Sequence, residues 1–417
     1  MRVGIVSLGW PPAWAGGETY LYRIFDALNS NGIDAWGITA TKEDSKYDNG
    51  SSKVHRIVPN FAPAKVKDNM GMMFQDSNKR ALTQSEQIER MRVWSEMINE
   101  RLIENEFDIG IIYVENLTSL KSVNYKELFG KPFKKLISIS FDFDYSSIIN
   151  YENRISETDS ILSLIEQDKE VLLSHSRHEY RNLLSRHYNP ELEGIIHITN
   201  FNKDVVNTVF GEKKYEFVLH PLLEKKWFVE SKIFKEKKNP SDFIVGMINP
   251  IPKKGAPLMV EAIAGTPFNF KILEGGHQSG ELLLESLETE YNTRFKDKVE
   301  LIHYVEDIVS YYDSVDVLFM PSWIEGYGQV AHEALIRGIP VITKRFPTIE
   351  EASVNSAKYI EPCDYSNPDV WITALNDIYE NQKKWNHLSN QAKEILTFRQ
   401  EKETKKFICF LERMCAE

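Results

Sequence analysis

Pro321-Ser322-Trp323-Ile324-Glu325-Gly326-Tyr327-Gly328-Gln329-Val330-Ala331-His332-Glu333-Ala334 is the stretch on which the fold turns. The apolar run from Val315 to Met320 precedes it and ends at Pro321. A polar turn with two glycines follows, and a helical pattern runs from about Tyr327 to Gly338, a suitable C′ stop. Ile339-Pro340-Val341-Ile342 reads as the next strand. This is a strand, a loop and a helix N-terminus, with one carboxylate in the loop and another inside the helix. Unpaired amides at such a terminus favour anions, and glycines let a ligand come close to the main chain. A nucleotide phosphate suits the place. A βα turn with two incidental glutamates would show the same local pattern.

The same strand–helix–strand pattern appears at the start of the chain. Val3 to Leu8 is a strand, Gly9 to Gly16 a loop, and a helix from about Gly17 carries Tyr20, Ile24, Ala27 and Leu28 on one face. Gly32 stops it, and Ile33 to Thr39 is the second strand. This is the βαβ unit of a doubly wound sheet. A long amphipathic helix is predicted over 84–106, strands over 109–114, 136–140, 195–199 and 217–219, and helix over 151–187. His220-Pro221-Leu222 reads as a hinge, followed by an irregular lysine-rich stretch over 225–241. A second α/β half begins at Phe243–Ile248, with later strands at 270–273, 299–302, 315–320, 340–343 and 358–360, and a final helix over about 390–415.

Composition narrows the function. The chain has 417 residues, enough for two or three domains. Its 50 basic and 61 acidic side chains leave a net charge of −11, which argues against general nucleic-acid binding. Cys363, Cys409 and Cys415 suit neither a disulfide framework nor a zinc site, which fits a reducing, cytoplasmic setting. No apolar run has the length of a membrane span, and the N-terminus lacks signal-peptide features. Membrane contact is expected to be peripheral at most. The apolar, irregular stretch over 61–75 is the candidate for that or for an acceptor loop. The histidines show no metal-ligand spacing.

The stretch at 321–334 resembles the signature of the retaining GT-B glycosyltransferases of family 4 (glycosyl transferases group 1). That signature has two glutamates eight positions apart, matched by Glu325 and Glu333, with Gly326, Tyr327, Gly328 and Ala334 also in place. The resemblance implies an α/β chain of GT-B type, with two Rossmann-like doubly wound domains facing a cleft. Residues 1–220 would bind the acceptor and 221–395 the nucleotide sugar, and 396–417 would form a helix returning to the first domain. It implies transfer of a sugar from a nucleoside-diphosphate sugar, UDP- or GDP-linked, to a hydroxyl of a saccharide, a lipid-linked saccharide or a small molecule. Anomeric configuration would be retained, with no metal and no cofactor. A non-catalytic sugar-nucleotide binder of the same fold is the first alternative. An NAD(P)-dependent oxidoreductase is the second, disfavoured because G-x-G-x-x-G is absent.

By that resemblance Glu325 is the catalytic-site carboxylate at the sugar, and Glu333 holds the ribose diol. Gly326, Tyr327, Gly328 and Gln329 belong to the donor site. The paired Gly16 and Gly17 face the donor phosphate and the acceptor. Lys253 and Lys254, in Asn249-Pro250-Ile251-Pro252-Lys253-Lys254-Gly255, face the diphosphate. The family's arginine before this Lys-Gly is missing, with Met247 and Asn249 in its neighbourhood. Where the family has a histidine near the sugar, this chain has Ser140-Phe141-Asp142, so Asp142 is a candidate for the sugar pocket. Asp142-Phe143-Asp144 also resembles the metal-binding D-x-D of GT-A enzymes, which a doubly wound chain does not call for. Trp10 and Trp14 are candidates to stack on an acceptor.

Overall fold

The computed structural model describes residues 1–10, 16–40, 53–59, 82–102, 104, 106–113, 125–140, 192–229, 234–274, 295–303, 305 and 307–417. They form two compact units, Met1–Leu222 with Glu403–Glu417, and Leu223–Lys402.

The first unit contains β1 (Arg2–Ser7), α1 (Gly16–Ser30), β2 (Asp34–Thr39), β3 (Val54–Arg56), α2 (Gln84–Leu102), β4 (Phe107–Tyr113), α3 (Tyr125–Phe129), β5 (Phe133–Ser140), β6 (Gly194–His197), α4 (Asn200–Phe210) and β7 (Tyr215–Val218). Its sheet has the order β3-β2-β1-β4-β5-β6-β7, and every pairing among the described residues is parallel. Parallel strands are covered on both faces, which is why β1 and β4 read as nearly unbroken apolar runs. Tyr20, Leu21, Ile24 and Leu28 put one face of α1 into the core. Gly32, at φ +80°, ends the helix by adopting the left-handed conformation that side chains resist. Thr199 caps α4 by accepting from Asn202 N at 2.9 Å.

The second unit contains β8 (Ile244–Ile248), α5 (Ala256–Gly265), β9 (Asn269–Leu273), β10 (Val299–Ile302), α6 (Ile308–Asp313), β11 (Val317–Met320), α7 (Gln329–Ile336), β12 (Val341–Lys344), α8 (Pro347–Ser353), β13 (Lys358–Ile360), α9 (Pro368–Glu380) and the first part of the 35-residue α10 (Gln382–Ala416). The sheet order is β10-β9-β8-β11-β12-β13, again parallel throughout its described pairings. This is the doubly wound order, which reverses between β8 and β11 and opens a crevice at their carboxyl ends. Phe243, Met247, Phe268, Phe270, Phe319 and Trp371 fill its core.

Helix α10 begins at Gln382, earlier than the pattern suggested, and its last residues, Glu403–Glu417, belong to the first unit. There Phe407 and Phe410 pack on Phe217 of β7 at 5.4 and 5.2 Å between ring centroids. Among the described residues no helix is long and apolar enough to cross a membrane.

Candidate active site

The carboxyl ends of β8 and β11 are neighbours through the pairs Val317↔Val245 and Leu318↔Gly246. The loops that leave them therefore meet. After β8 the chain makes a turn with Asn249 at φ +59°, a conformation that asparagine tolerates better than most residues. A single 3-10 turn, Pro252–Lys254, follows and ends at Gly255 with φ +80°. A Cβ on Gly255 would lie 2.0 Å from the Pro321 carbonyl oxygen, so glycine alone lets the two loops touch. The contact is stitched by Trp323 N donating to Lys253 O at 3.0 Å. The Lys-Gly pair thus has a packing reason: its glycine seats the lysines against the signature loop.

Two side chains meet across this seam. Lys254 Nζ lies 2.5 Å from Glu325 Oε1, with both groups partly exposed. Lys253 is exposed. The main chain around Glu325 is held from the following βα connection. Thr348 Oγ1 donates to Glu325 O at 2.7 Å, and Lys344 Nζ donates to Trp323 O at 3.0 Å. The Lys344 ammonium also lies 3.5 Å from the centroid of the Trp323 ring, a cation–π contact. Tyr365 Oη donates to Pro321 O at 2.9 Å. Burial pushes that phenol up to about 12, so it remains a donor throughout the neutral range.

Helix α7 starts at Gln329, two residues after the expected Tyr327. Gly328 is its N-cap at φ +90°, and its first ladder bonds run from Ala331 and His332 N–H to Gly328 O. The amides of Gln329 and Val330 precede that ladder and form the open end of the helix. Glu333 is 7% exposed. Its Oε1 accepts from Gln329 Nε2 at 2.8 Å and its Oε2 from Tyr312 Oη at 3.0 Å. Gly338, at φ +74°, ends the helix as expected, with Ile339 N donating to Ala334 O.

Tyr327 differs from its expected role. Its side chain is 4% exposed, packs edge-on against His332, and its hydroxyl lies 3.1 Å from His332 Nδ1 and accepts from Arg399 at 2.7 Å. The phenol anchors the loop through these contacts. Trp10 is also corrected. It is 1% exposed, meets Tyr22 and Phe25 edge to face, and lies where a Cβ on Gly37 would fall 2.7 Å from its ring. No face is left for an acceptor to stack on.

In the first unit Gly16 opens α1 at the carboxyl end of β1, beside β4, where that sheet also reverses order. A Cβ on Gly17 would lie 2.1 Å from the Tyr113 hydroxyl, so the second glycine seats the helix start against β4. Trp14, Asp142 with its D-x-D triplet, the stretch 61–75 and the helical pattern of 151–187 lie outside the described residues. Among the described residues no group of three or more His, Cys, Asp or Glu is arranged to hold a metal ion.

The structure thus brings together Lys254, Glu325, Gly328, Gln329 and Glu333 in one unit, with Gly16 and Gly17 in the other. Sequence reasoning missed Tyr312, Lys344, Thr348 and Tyr365. None has a local signal, because each acts from a different element: Tyr312 from α6 on Glu333, and Lys344, Thr348 and Tyr365 on the loop from at or beyond the ends of β12 and β13.

Residues 228–395 match the family model described as Glycosyl transferases group 1. The capsular polysaccharide biosynthesis glycosyltransferase CapM of Staphylococcus aureus is 31% identical over 124 residues, 27% of this chain and 31% of CapM. A D-inositol 3-phosphate glycosyltransferase of Corynebacterium urealyticum is 37% identical over 73 residues, 18% of this chain and 17% of that protein. The matches therefore span less than a third of either curated relative. Among solved structures, sucrose-phosphate synthase from Thermosynechococcus elongatus is similar with a TM-score of 0.70 at 14% identity, over 100% of this chain and 99% of that one. HepE of Anabaena, solved with UDP and glucose, gives 0.65 at 12% identity, over 99% and 100%. At those identities the likeness concerns the fold, which is GT-B. The signature loop and the sheet that presents it lie in the second unit, within the stretch over which the chain is similar to the glycosyl transferases group 1 family.

Proposed function

We propose that this protein transfers a sugar from a nucleoside-diphosphate sugar to an acceptor hydroxyl, with retention of anomeric configuration. The observation that carries the reading is the Lys254–Glu325 pair at 2.5 Å, set beside the open end of α7. A cation, helix amides and a carboxylate stand together where a diphosphate joined to a sugar needs them. Glu333, about one turn along from the amides, takes the ribose diol. Glu325 faces the sugar. Lys254, with Lys253 at the rim, neutralises the diphosphate as it leaves. That HepE was solved with UDP-glucose supports a nucleotide-sugar donor. The first unit, with Gly16 and Gly17 at the start of α1, is assigned to the acceptor.

In the step we favour, the bond from the anomeric carbon to the phosphate oxygen breaks, and the acceptor oxygen bonds to that carbon on the same face. The acceptor's proton passes to the departing diphosphate oxygen. Glu325 orients the sugar and stabilises its positive charge. Lysine and amide counter-charge would serve the leaving group without a divalent ion; strict Mg²⁺ or Mn²⁺ dependence in a coupled assay would count against this.

The test is a thermal-shift panel of UDP-, GDP-, ADP- and dTDP-sugars, since a ligand of the folded state raises Tm with affinity and concentration. One nucleotide class should stabilise the chain, and Glu333→Ala should lose most of that shift. A variant that responds like the wild type would refute the ribose assignment. Binding without turnover across a broad acceptor panel would favour a non-catalytic binder.

A further inference from the structure

The second unit has a cavity of about 540 Å³ at the opposite end of its sheet, within the range of small-molecule sites. It lies at the amino ends of β8, β11 and β12, whereas the donor site lies at carboxyl ends. Phe243, Ile339 and Ile378 give it an apolar wall. Three cations, Lys235, Arg337 and Lys393, line it against one acid, Asp316, in a chain whose net charge is −11. The acid is committed: Asp316 Oδ2 accepts from Ile244 N at 2.9 Å and lies 3.9 Å from Lys237 Nζ. The Arg337 guanidinium is committed too, bidentate to Asp313. Burial first, and then the Arg337 charge, lower the pKa of Lys393, with Asp313 opposing. An anion beside that ammonium would offset both effects. Asn386 lines the cavity as well, and its side-chain oxygen accepts from Asn390 at 3.0 Å, which directs its amide nitrogen elsewhere. Residues 230–233 lie outside the described residues.

We propose that this cavity binds a small organic anion, a phosphate or carboxylate on an apolar body, with Lys393 and Lys235 on its charge and the Phe243–Ile378 wall on its body. The site is separate from the donor site and does not depend on the donor reading. Its position has one notable feature. Arg337 is the C-cap of α7, the helix whose other end faces the donor.

The experiment is calorimetric titration of the full chain with phenyl phosphate, using phenol as the uncharged control. Saturable binding of phenyl phosphate, at least about tenfold tighter than phenol, is expected. Lys393→Met should weaken it about tenfold and Lys235→Met several-fold. Lys254→Met, at the donor end, should leave it within about twofold. Lys235 is exposed, so its variant keeps the test informative if Lys393→Met fails to fold. Three results would overturn the proposal: no saturable binding, phenol bound as well as phenyl phosphate, or affinity that follows Lys254 and ignores Lys393 and Lys235.

Discussion

The Tyr312 hydroxyl donates to Glu333 Oε2 at 3.0 Å, while the next residue, Asp313, holds Arg337 in a bidentate pair. Two adjacent residues of α6 thus grip α7 at two points one turn apart. One grip sets the carboxylate assigned to the ribose; the other locks the end of the same helix. The Tyr312–Glu333 bond is buried and the Asp313–Arg337 pair partly so, and both come from a helix with no motif of its own.

Tyr312→Phe removes the hydroxyl and keeps the ring, which packs on Trp227 at 5.6 Å between centroids. Glu333 then loses the Tyr312 donor. Nucleotide affinity should fall about fivefold, or roughly 1 kcal/mol, with the fold intact. An unchanged Kd by calorimetry would show that Glu333 needs no such orientation.

Glu325→Gln keeps the shape and removes the charge. Transfer should drop on the order of 100-fold, because the loss falls on charge stabilisation at the sugar. Binding of the free nucleoside diphosphate should not weaken, since Lys254 is released from its ion pair. Equal losses in both measurements would move Glu325 from the sugar to general donor binding.

Gly255→Ala tests the seam between the loops. Alanine at φ +80° is strained, and its Cβ would meet Pro321 O at 2.0 Å. The expected cost is roughly 2 kcal/mol in urea unfolding, with loss of the nucleotide-dependent thermal shift. A variant with wild-type stability and shift would mean the seam is looser than its contacts indicate.

Arg337→Met probes the other grip. The guanidinium is fully buried and also donates to Trp227 O at 3.0 Å and Val229 O at 2.9 Å. Its removal leaves Asp313 and two carbonyls without their donor, and should cost about 3–5 kcal/mol. Chemical denaturation measures this directly, and a loss below about 1 kcal/mol would contradict it.

His197 gives a pH dependence. Burial depresses its pKa from 6.5 to about 4, against smaller opposing effects from Glu216 and the Asn202 contact. The folded state refuses a proton that the unfolded state accepts between those values. Stability is therefore complete above pH 6.5 and falls as pH drops toward 4, by on the order of 3 kcal/mol in total. Denaturation midpoints across that window should slope less in His197→Gln than in the wild type. Equal slopes would show that His197 is not the group responsible.

The strands were readable because their signal is local. Val299–Ile302 and Lys358–Ile360 fall where expected, because even these edge strands are short runs with apolar residues bounded by turns. The three-residue β3 and the start of α10 were not. The first is too short to show a period, and the second opens with polar residues that no local rule ties to a helix. Among candidate site residues, the glycines at 255 and 328 were legible as glycines, but the sequence could not say what they approach. Tyr327 and Trp10 look alike as aromatics in loops near ligand positions. Burial, which depends on distant residues such as Arg399 and Gly37, separates packing from recognition.

By itself the sequence determined that the chain is doubly wound α/β, that a helix mouth follows the strand ending at Met320, and that acidic side chains flank it. These are matters of period, turn chemistry and spacing, which a linear string carries. Only the tertiary structure decided that Lys254 meets Glu325, that Tyr312 orients Glu333, and that Lys344 and Thr348 hold the loop between them. The partners of each pair lie from 21 to 71 residues apart in the chain, and the sheet's reversal between β8 and β11 brings the most distant of them together.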